Sequence, residues 1–134
     1  MVILVDTSVW VSFLRHDGSA ADTWMRRQIR RPDDIAVTQP IVMELLAGAT
    51  GRAQRALDDT LARVQTISVW PDTDFRDAGM LAAALRADGR TVRGVVDCLI
   101  AAVALRAGVT LAHRDDDFAA IACIAPLAVR DLTG

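Results

Sequence analysis

The feature that most constrains this chain is the run Val2-Ile3-Leu4-Val5 with Asp6 directly behind it. An unbroken aliphatic, largely β-branched run reads as a strand buried on both faces, the kind found inside parallel sheets. A carboxylate ending such a strand must be paired, hydrogen-bonded or holding a metal, because burying it alone is too costly. In open parallel α/β sheets the active crevice lies beyond the carboxyl ends of the strands, which is where Asp6 then stands.

Behind Asp6, the residues Val9, Trp10, Phe13 and Leu14 recur at helical spacing, with Thr7 or Ser8 as the expected cap. The pattern predicts a helix over 20–29, a strand over 35–37, a helix carrying Glu44 over 40–48 and another over 50–64. Residues 66–70 alternate like a strand. Helices are expected over 75–89 and 94–107, separated by a polar connector over 90–93 and closed by Gly108. A strand over 109–112, a short helix over 118–123 and a last strand over 127–129 complete the chain. Strands alternating with helices throughout predict an α/β fold. The expected form is a three-layer α/β/α domain, a mostly parallel central sheet flanked by helices, with residues 1–134 as a single domain.

Composition narrows the chemistry. With 52% hydrophobic residues the chain can bury a real core, yet no apolar run is long enough to span a bilayer. Met1 leads straight into the strand without the basic segment of a signal peptide, so a cytoplasmic protein is expected. Cys98 and Cys123 lie in apolar segments without a C-x-x-C spacing and are expected to be packed thiols. All 15 basic residues are arginine, which excludes any mechanism that needs a catalytic lysine. Receiver domains and haloacid-dehalogenase-like phosphatases, which also place an aspartate after a first strand, are set aside on that ground. Among 17 acidic residues Glu44 is the only glutamate, and its apolar neighbours mark it as a candidate buried site.

Four acidic positions stand out. Asp6 and Asp115 follow apolar strands, and Glu44 and Asp97 lie in apolar helices, with Asp117 two residues beyond Asp115. Singly, Asp6, Asp97 and Asp115 each have an ordinary explanation, as a helix cap, a first-turn acid and a solvated turn, whereas Glu44 is hardest to dismiss given its neighbours. Jointly, if the two strands are parallel neighbours, they reach one edge of the sheet. Carboxylates converging there repel one another unless a cation neutralises them. An oxygen-only ligand set suits Mg²⁺ or Mn²⁺, and the lack of a His/Cys cluster argues against zinc. Such a metal orients and deprotonates water and stabilises charge on a phosphodiester.

With these residues in view the chain resembles the PIN-domain ribonucleases, and among them the VapC-type toxins of toxin–antitoxin pairs. The resemblance is carried by Val5-Asp6-Thr7-Ser8-Val9-Trp10, Pro40-Ile-Val-Met-Glu44-Leu-Leu-Ala-Gly48, Val96-Asp97-Cys-Leu-Ile-Ala-Ala102 and His113-Arg-Asp115-Asp-Asp117-Phe118. It implies that Asp6, Glu44, Asp97 and Asp115 form a catalytic, metal-binding acidic quartet, with Asp117 as an additional metal ligand and Thr7 or Ser8 as a nearby hydroxyl. Three adjacent aspartates leave the fourth ligand open between Asp115 and Asp117. The resemblance further implies Mg²⁺- or Mn²⁺-dependent cleavage of RNA by a metal-activated water, a homodimer, and a VapB-type antitoxin whose C-terminal segment occupies a groove. Asp116 is expected to be exposed. Arg26, Arg27, Arg30 and Arg31 are either phosphate contacts or a solvated helix end. Trp10 and Trp24 are expected in the core or an interface, and Arg114 either contacts phosphate or clamps an aspartate. The competing reading keeps the fold and makes it a catalytically silent module that docks an arginine-bearing, antitoxin-like partner.

Overall fold

The computed structural model describes residues 1–91 and 93–134. The elements, in order, are β1 (Ile3–Val5), α1 (Thr7–Arg15), α2 (Ala20–Gln28), β2 (Ile35–Val37), α3 (Gln39–Ala47), α4 (Gly51–Leu61), β3 (Gln65–Thr66), α5 (Pro71–Ala87), α6 (Val95–Ala107), β4 (Thr110–His113), α7 (Asp116–Ile124) and β5 (Val129–Asp131), with a 3₁₀ turn at Pro32–Asp34 before β2. Val92, in the expected polar connector, lies outside the described residues.

All five strands are parallel, in the order β3-β2-β1-β4-β5. β1 is aliphatic throughout and paired on both sides, by β2 and β4; Leu4 and Val5 are fully buried. From β1 the chain steps to β2 and β3, then crosses over β1 to β4 and β5. Right-handed crossovers therefore put α1 to α4 on one face and α5 to α7 on the other. The packing agrees, since α1 contacts α2 and α3 while α5 contacts α6 and α7. The reversal of strand order beside β1 opens a crevice past the ends of β1 and β4. α3 of one face also contacts α6 of the other.

Core packing follows the apolar periodicity. Trp10, Phe118, Met25, Ile41, Ile100 and Leu111 are among the fully buried side chains. α6 is buried over the unbroken stretch Cys98 to Ala104, which explains why it is apolar all round. It ends at Gly108, whose φ of 66° is the left-handed turn that closes a helix.

Two strands differ from expectation. β3 stops at Thr66 instead of running over 66–70. After the Ile67 N–H bonds the Val37 carbonyl, the Val69 N–H turns to the Gln39 side chain and the Ser68 carbonyl to Arg106, so the backbone is satisfied off the sheet. β5 lies over Val129–Asp131, not 127–129, pairing Arg130 with Ala112 and Asp131 with His113. It is an edge strand with exposed polar residues, so it carries no hydrophobic signal. Cys98 is buried as expected, but Cys123 is exposed, because it falls on the outer side of α7 from Ile121.

Candidate metal centre

The crevice is built outward from Asp6. Its backbone N–H still belongs to the sheet, bonding the Ala112 carbonyl at 2.9 Å. Its side chain is the N-cap of α1, accepting from the Ser8 N–H at 3.0 Å and from the Ser8 hydroxyl at 2.5 Å. The cap is thus Asp6 itself, not Thr7 or Ser8. Asp6 is only 3% exposed, and burial pushes its carboxyl up to about 6 despite the Ser8 hydrogen bonds, with the Glu44 charge adding to the rise. Thr7 faces the other way and donates to Glu44 Oε1 at 2.8 Å. Glu44 is half-buried, short of the buried position its apolar neighbours suggested. Those neighbours do not all face inward, since Met43 is itself exposed.

Asp97 stands in the first turn of α6, half-buried. Burial, then the charges of Asp6 and Asp115, then a hydrogen bond and charge from Asp117 push its carboxyl up to about 8. Asp115 is the N-cap of α7 and accepts from the Asp117 N–H at 3.0 Å. Carboxylate oxygens of Asp97, Asp115 and Asp117 come within 4.8 Å of one another. Both Asp115 and Asp117 thus belong to the cluster; Asp116 is exposed. Asp6 approaches Asp97 closely enough to raise it, and Glu44 approaches Asp6. Glu44 therefore stands at the rim, linked through Thr7.

These residues fit a hard cation. Among the described residues no histidine or cysteine joins the cluster. Burial first, and neighbouring negative charge second, raise Asp6 and Asp97, and a divalent ion bound by oxygen would relieve the second cause.

Arg93, read from sequence only as part of a polar connector, contacts the centre directly. Its Nη2 donates to Asp115 Oδ1 at 3.0 Å, its Nε lies 3.6 Å from Asp117 Oδ2, and its backbone N–H bonds Asp117 Oδ2 at 3.2 Å. The signal was available, because Arg93 precedes Gly94, the N-cap of α6. The helix dipole disfavours a cation there unless an anion holds it.

The other candidates fall elsewhere. Arg114 turns from the cluster to Ser12 and to Asp17 at 3.0 Å, clamping an aspartate outside the centre. Its backbone N–H bonds the Ser8 hydroxyl, tying the end of β4 to the start of α1. Arg26 pairs with Asp22 and bonds the Phe13 carbonyl, joining α1 to α2, while Arg27, Arg30 and Arg31 are exposed. Trp10 and Trp24 are buried. His113 is fully buried, burial lowers its pKa, and its Nδ1 accepts from the Asp115 N–H.

Against known proteins, the PIN domain family model matches residues 3–123. A VapC ribonuclease of Mycobacterium bovis is 41% identical over 128 residues, spanning 94% of this chain and 96% of that protein. Ribonuclease VapC11 of Mycobacterium tuberculosis matches to the same extent. Among solved structures, VapBC-5 of Mycobacterium tuberculosis, a member of the VapBC family of toxin–antitoxin systems, superposes with a TM-score of 0.66 at 29% identity, covering 98% of this chain and 99% of that one. VapBC2 of Rickettsia felis, bound to promoter DNA, reaches 0.76 at 20% identity over 98% of both chains, a likeness of fold.

Proposed function

Since the chain belongs to the PIN-domain family, we propose that it is an endoribonuclease acting as the toxin of a toxin–antitoxin pair, with residues 1–134 working as one domain in the cytoplasm. The observation that carries the reading is the convergence of Asp97, Asp115 and Asp117 within 4.8 Å beside the buried Asp6, at the strand-order reversal.

Asp6, Asp97 and Asp115 hold the cation, with Asp117 as a further oxygen donor and Glu44 completing the acidic rim. Mg²⁺ is the proposed ion, with Mn²⁺ able to replace it. Bound there, such an ion supplies Lewis acidity, lowering the pKa of a water and offsetting phosphodiester charge. The protein's part is preorganisation. Ser8 fixes the Asp6 carboxylate through two hydrogen bonds, and Thr7 fixes Glu44. Asp97 holds its proton near neutral pH until the negative charge around it is compensated. The buried backbone of β1 and β4 sets the spacing of the whole group.

A VapB-type antitoxin is the proposed partner, supported by the VapBC neighbours. Its apolar segment fits the groove of about 630 Å³ between α1, α3 and α4, lined by Val11, Leu14, Leu45 and Leu57 and ending at Glu44. A second groove of about 830 Å³, lined by Met43, Phe75, Val95 and Leu99, gives a homodimer its contact face.

The test is cleavage of total RNA by purified wild type, Asp6→Asn and Asp97→Asn, with Mg²⁺, Mn²⁺ or EDTA, followed by mapping of RNA ends. Discrete new ends only for wild type with metal support the reading. Intact RNA under every condition overturns it and brings forward the docking module.

A further inference from the structure

The acidic centre needs a group that meets the substrate's own negative charge, and we propose that Arg93 is the residue that binds an RNA phosphate beside the scissile bond. The assignment rests on the ribonuclease reading. It is argued from how Arg93 is held. The residue is attached to the centre twice, by its backbone N–H to Asp117 and by its guanidinium to Asp115. The main-chain bond keeps it beside the carboxylates even when the side chain swings away. Yet the side chain is 79% exposed, so most of a guanidinium's five N–H donors face open solvent at the mouth of the crevice. A guanidinium presented this way matches the paired oxygens of a phosphodiester.

Position favours the same role. Arg93 stands just ahead of the N-terminus of α6, where a cation weakens the helix, so helix stability does not account for it. Among the described residues it is the cation paired with Asp115 and Asp117. Arg114, its nearest rival in sequence, is committed to Ser12 and Asp17. An RNA strand entering a crevice of clustered carboxylates meets repulsion, and Arg93 is placed to offset it at the entrance.

The experiment compares wild type, Arg93→Ala and Arg93→Lys, each in an Asp6→Asn background that stops cleavage. It measures affinity for a single-stranded RNA oligomer across a salt series; Mn²⁺ affinity without RNA, and cleavage as the control, are measured for the same Arg93 variants with Asp6 intact. Expected for Arg93→Ala are RNA binding weakened about tenfold, a salt slope smaller by about one counterion, and Mn²⁺ binding retained or tightened. Arg93→Lys should recover part of the loss, since it keeps the charge without the paired donors. RNA affinity and salt slope unchanged in Arg93→Ala, with tighter Mn²⁺ binding, would show a mere stand-in cation and overturn the assignment. Cleaving protein with this result loses only the Arg93 role, whereas wild type that neither binds nor cuts RNA loses the ribonuclease reading as well. A retained thermal transition in each variant excludes misfolding as the cause.

Discussion

Two buried carboxylate sites in this protein are solved in opposite ways. Asp74, in the first turn of α5, is fully buried, yet Arg106 donates to both its oxygens at 2.8 to 3.1 Å and the Trp70 N–H adds a third partner at 2.8 Å. Burial pushes Asp74 up, but Arg106 and Trp70 outweigh it and its pKa ends below the ordinary value. Arg106 is itself satisfied, bonding the Ser68 carbonyl and stacking over Trp70 with 4.1 Å to the ring centroid. Asp6 and Asp97 are pushed the other way, and among the described residues Arg93 pairs only with their neighbours Asp115 and Asp117, from the solvent side. One site carries its countercharge within the fold; the other leaves room for a charge from outside. The contrast separates an acid that holds a structure together from acids kept ready for chemistry.

The sharpest way to break the comparison is to make the first site resemble the second. Arg106→Met should destabilise the protein by about 3 to 5 kcal/mol, because it strands Asp74 without its partner; urea unfolding measures the loss. The reciprocal change should have the opposite sign. Asp97→Asn removes a charge that repels its neighbours once pH exceeds about 8, so in EDTA at pH 9 it should stabilise the protein by about 1 kcal/mol, while with metal it abolishes cleavage. A lower melting temperature for this variant in EDTA at that pH would contradict the uncompensated-charge account.

The pH response distinguishes the sites without mutation. Asp6 and Asp97 hold protons in the folded state at about 6 and 8, above the ordinary carboxylate value of 3.8. Between those limits the native state binds more protons than the unfolded one, so metal-free stability should fall as pH rises from about 5 to 8. Thermal melts in EDTA should lose several degrees over that range, and the slope should flatten when Mn²⁺ is added. Asp74 contributes oppositely: its stabilisation is present above the unfolded pKa and disappears only as pH drops through its lowered value. A comparably small effect belongs to Ser8→Ala, which removes the hydroxyl's bonds to Asp6 and from the Arg114 N–H. It should cost about 1 kcal/mol and weaken Mn²⁺ binding severalfold by calorimetry, leaving the fold intact.

What the sequence made legible tracks where burial is continuous. β1, α6 and the apolar part of β4 are enclosed on every side, so their residues read as unbroken apolar runs and the acids within or beside them stand out. The centre's aspartates were found because Asp6, Asp97 and Asp115 each interrupt such a run. Illegible elements lie where the chain is satisfied by side chains or solvent. Residues 67–70 spend their hydrogen bonds on Gln39, Arg106 and Asp74, partners set by tertiary position. β5 pairs through its backbone with polar side chains outward. Arg93 went unmarked although a cation just ahead of a helix N-terminus is unusual, because naming its partners, 22 and 24 residues away, takes the tertiary fold. Glu44 misled in the other direction, as apolar residues on α3 line an open groove as well as the core.

The hydrogen bond from the Arg114 N–H to the Ser8 hydroxyl joins positions 106 residues apart, and it closes the same corner that Asp6 and Asp115 occupy. The acidic centre is therefore assembled from segments far apart in sequence. During translation β1 has no β4 to lie beside until the residues between them have been made. A nascent or truncated chain lacks the centre, whatever fraction of its helices has formed, because this contact is among the most distant in the fold. The helices α1 to α6 are all made before this contact can close, so the centre is completed after the elements that surround it.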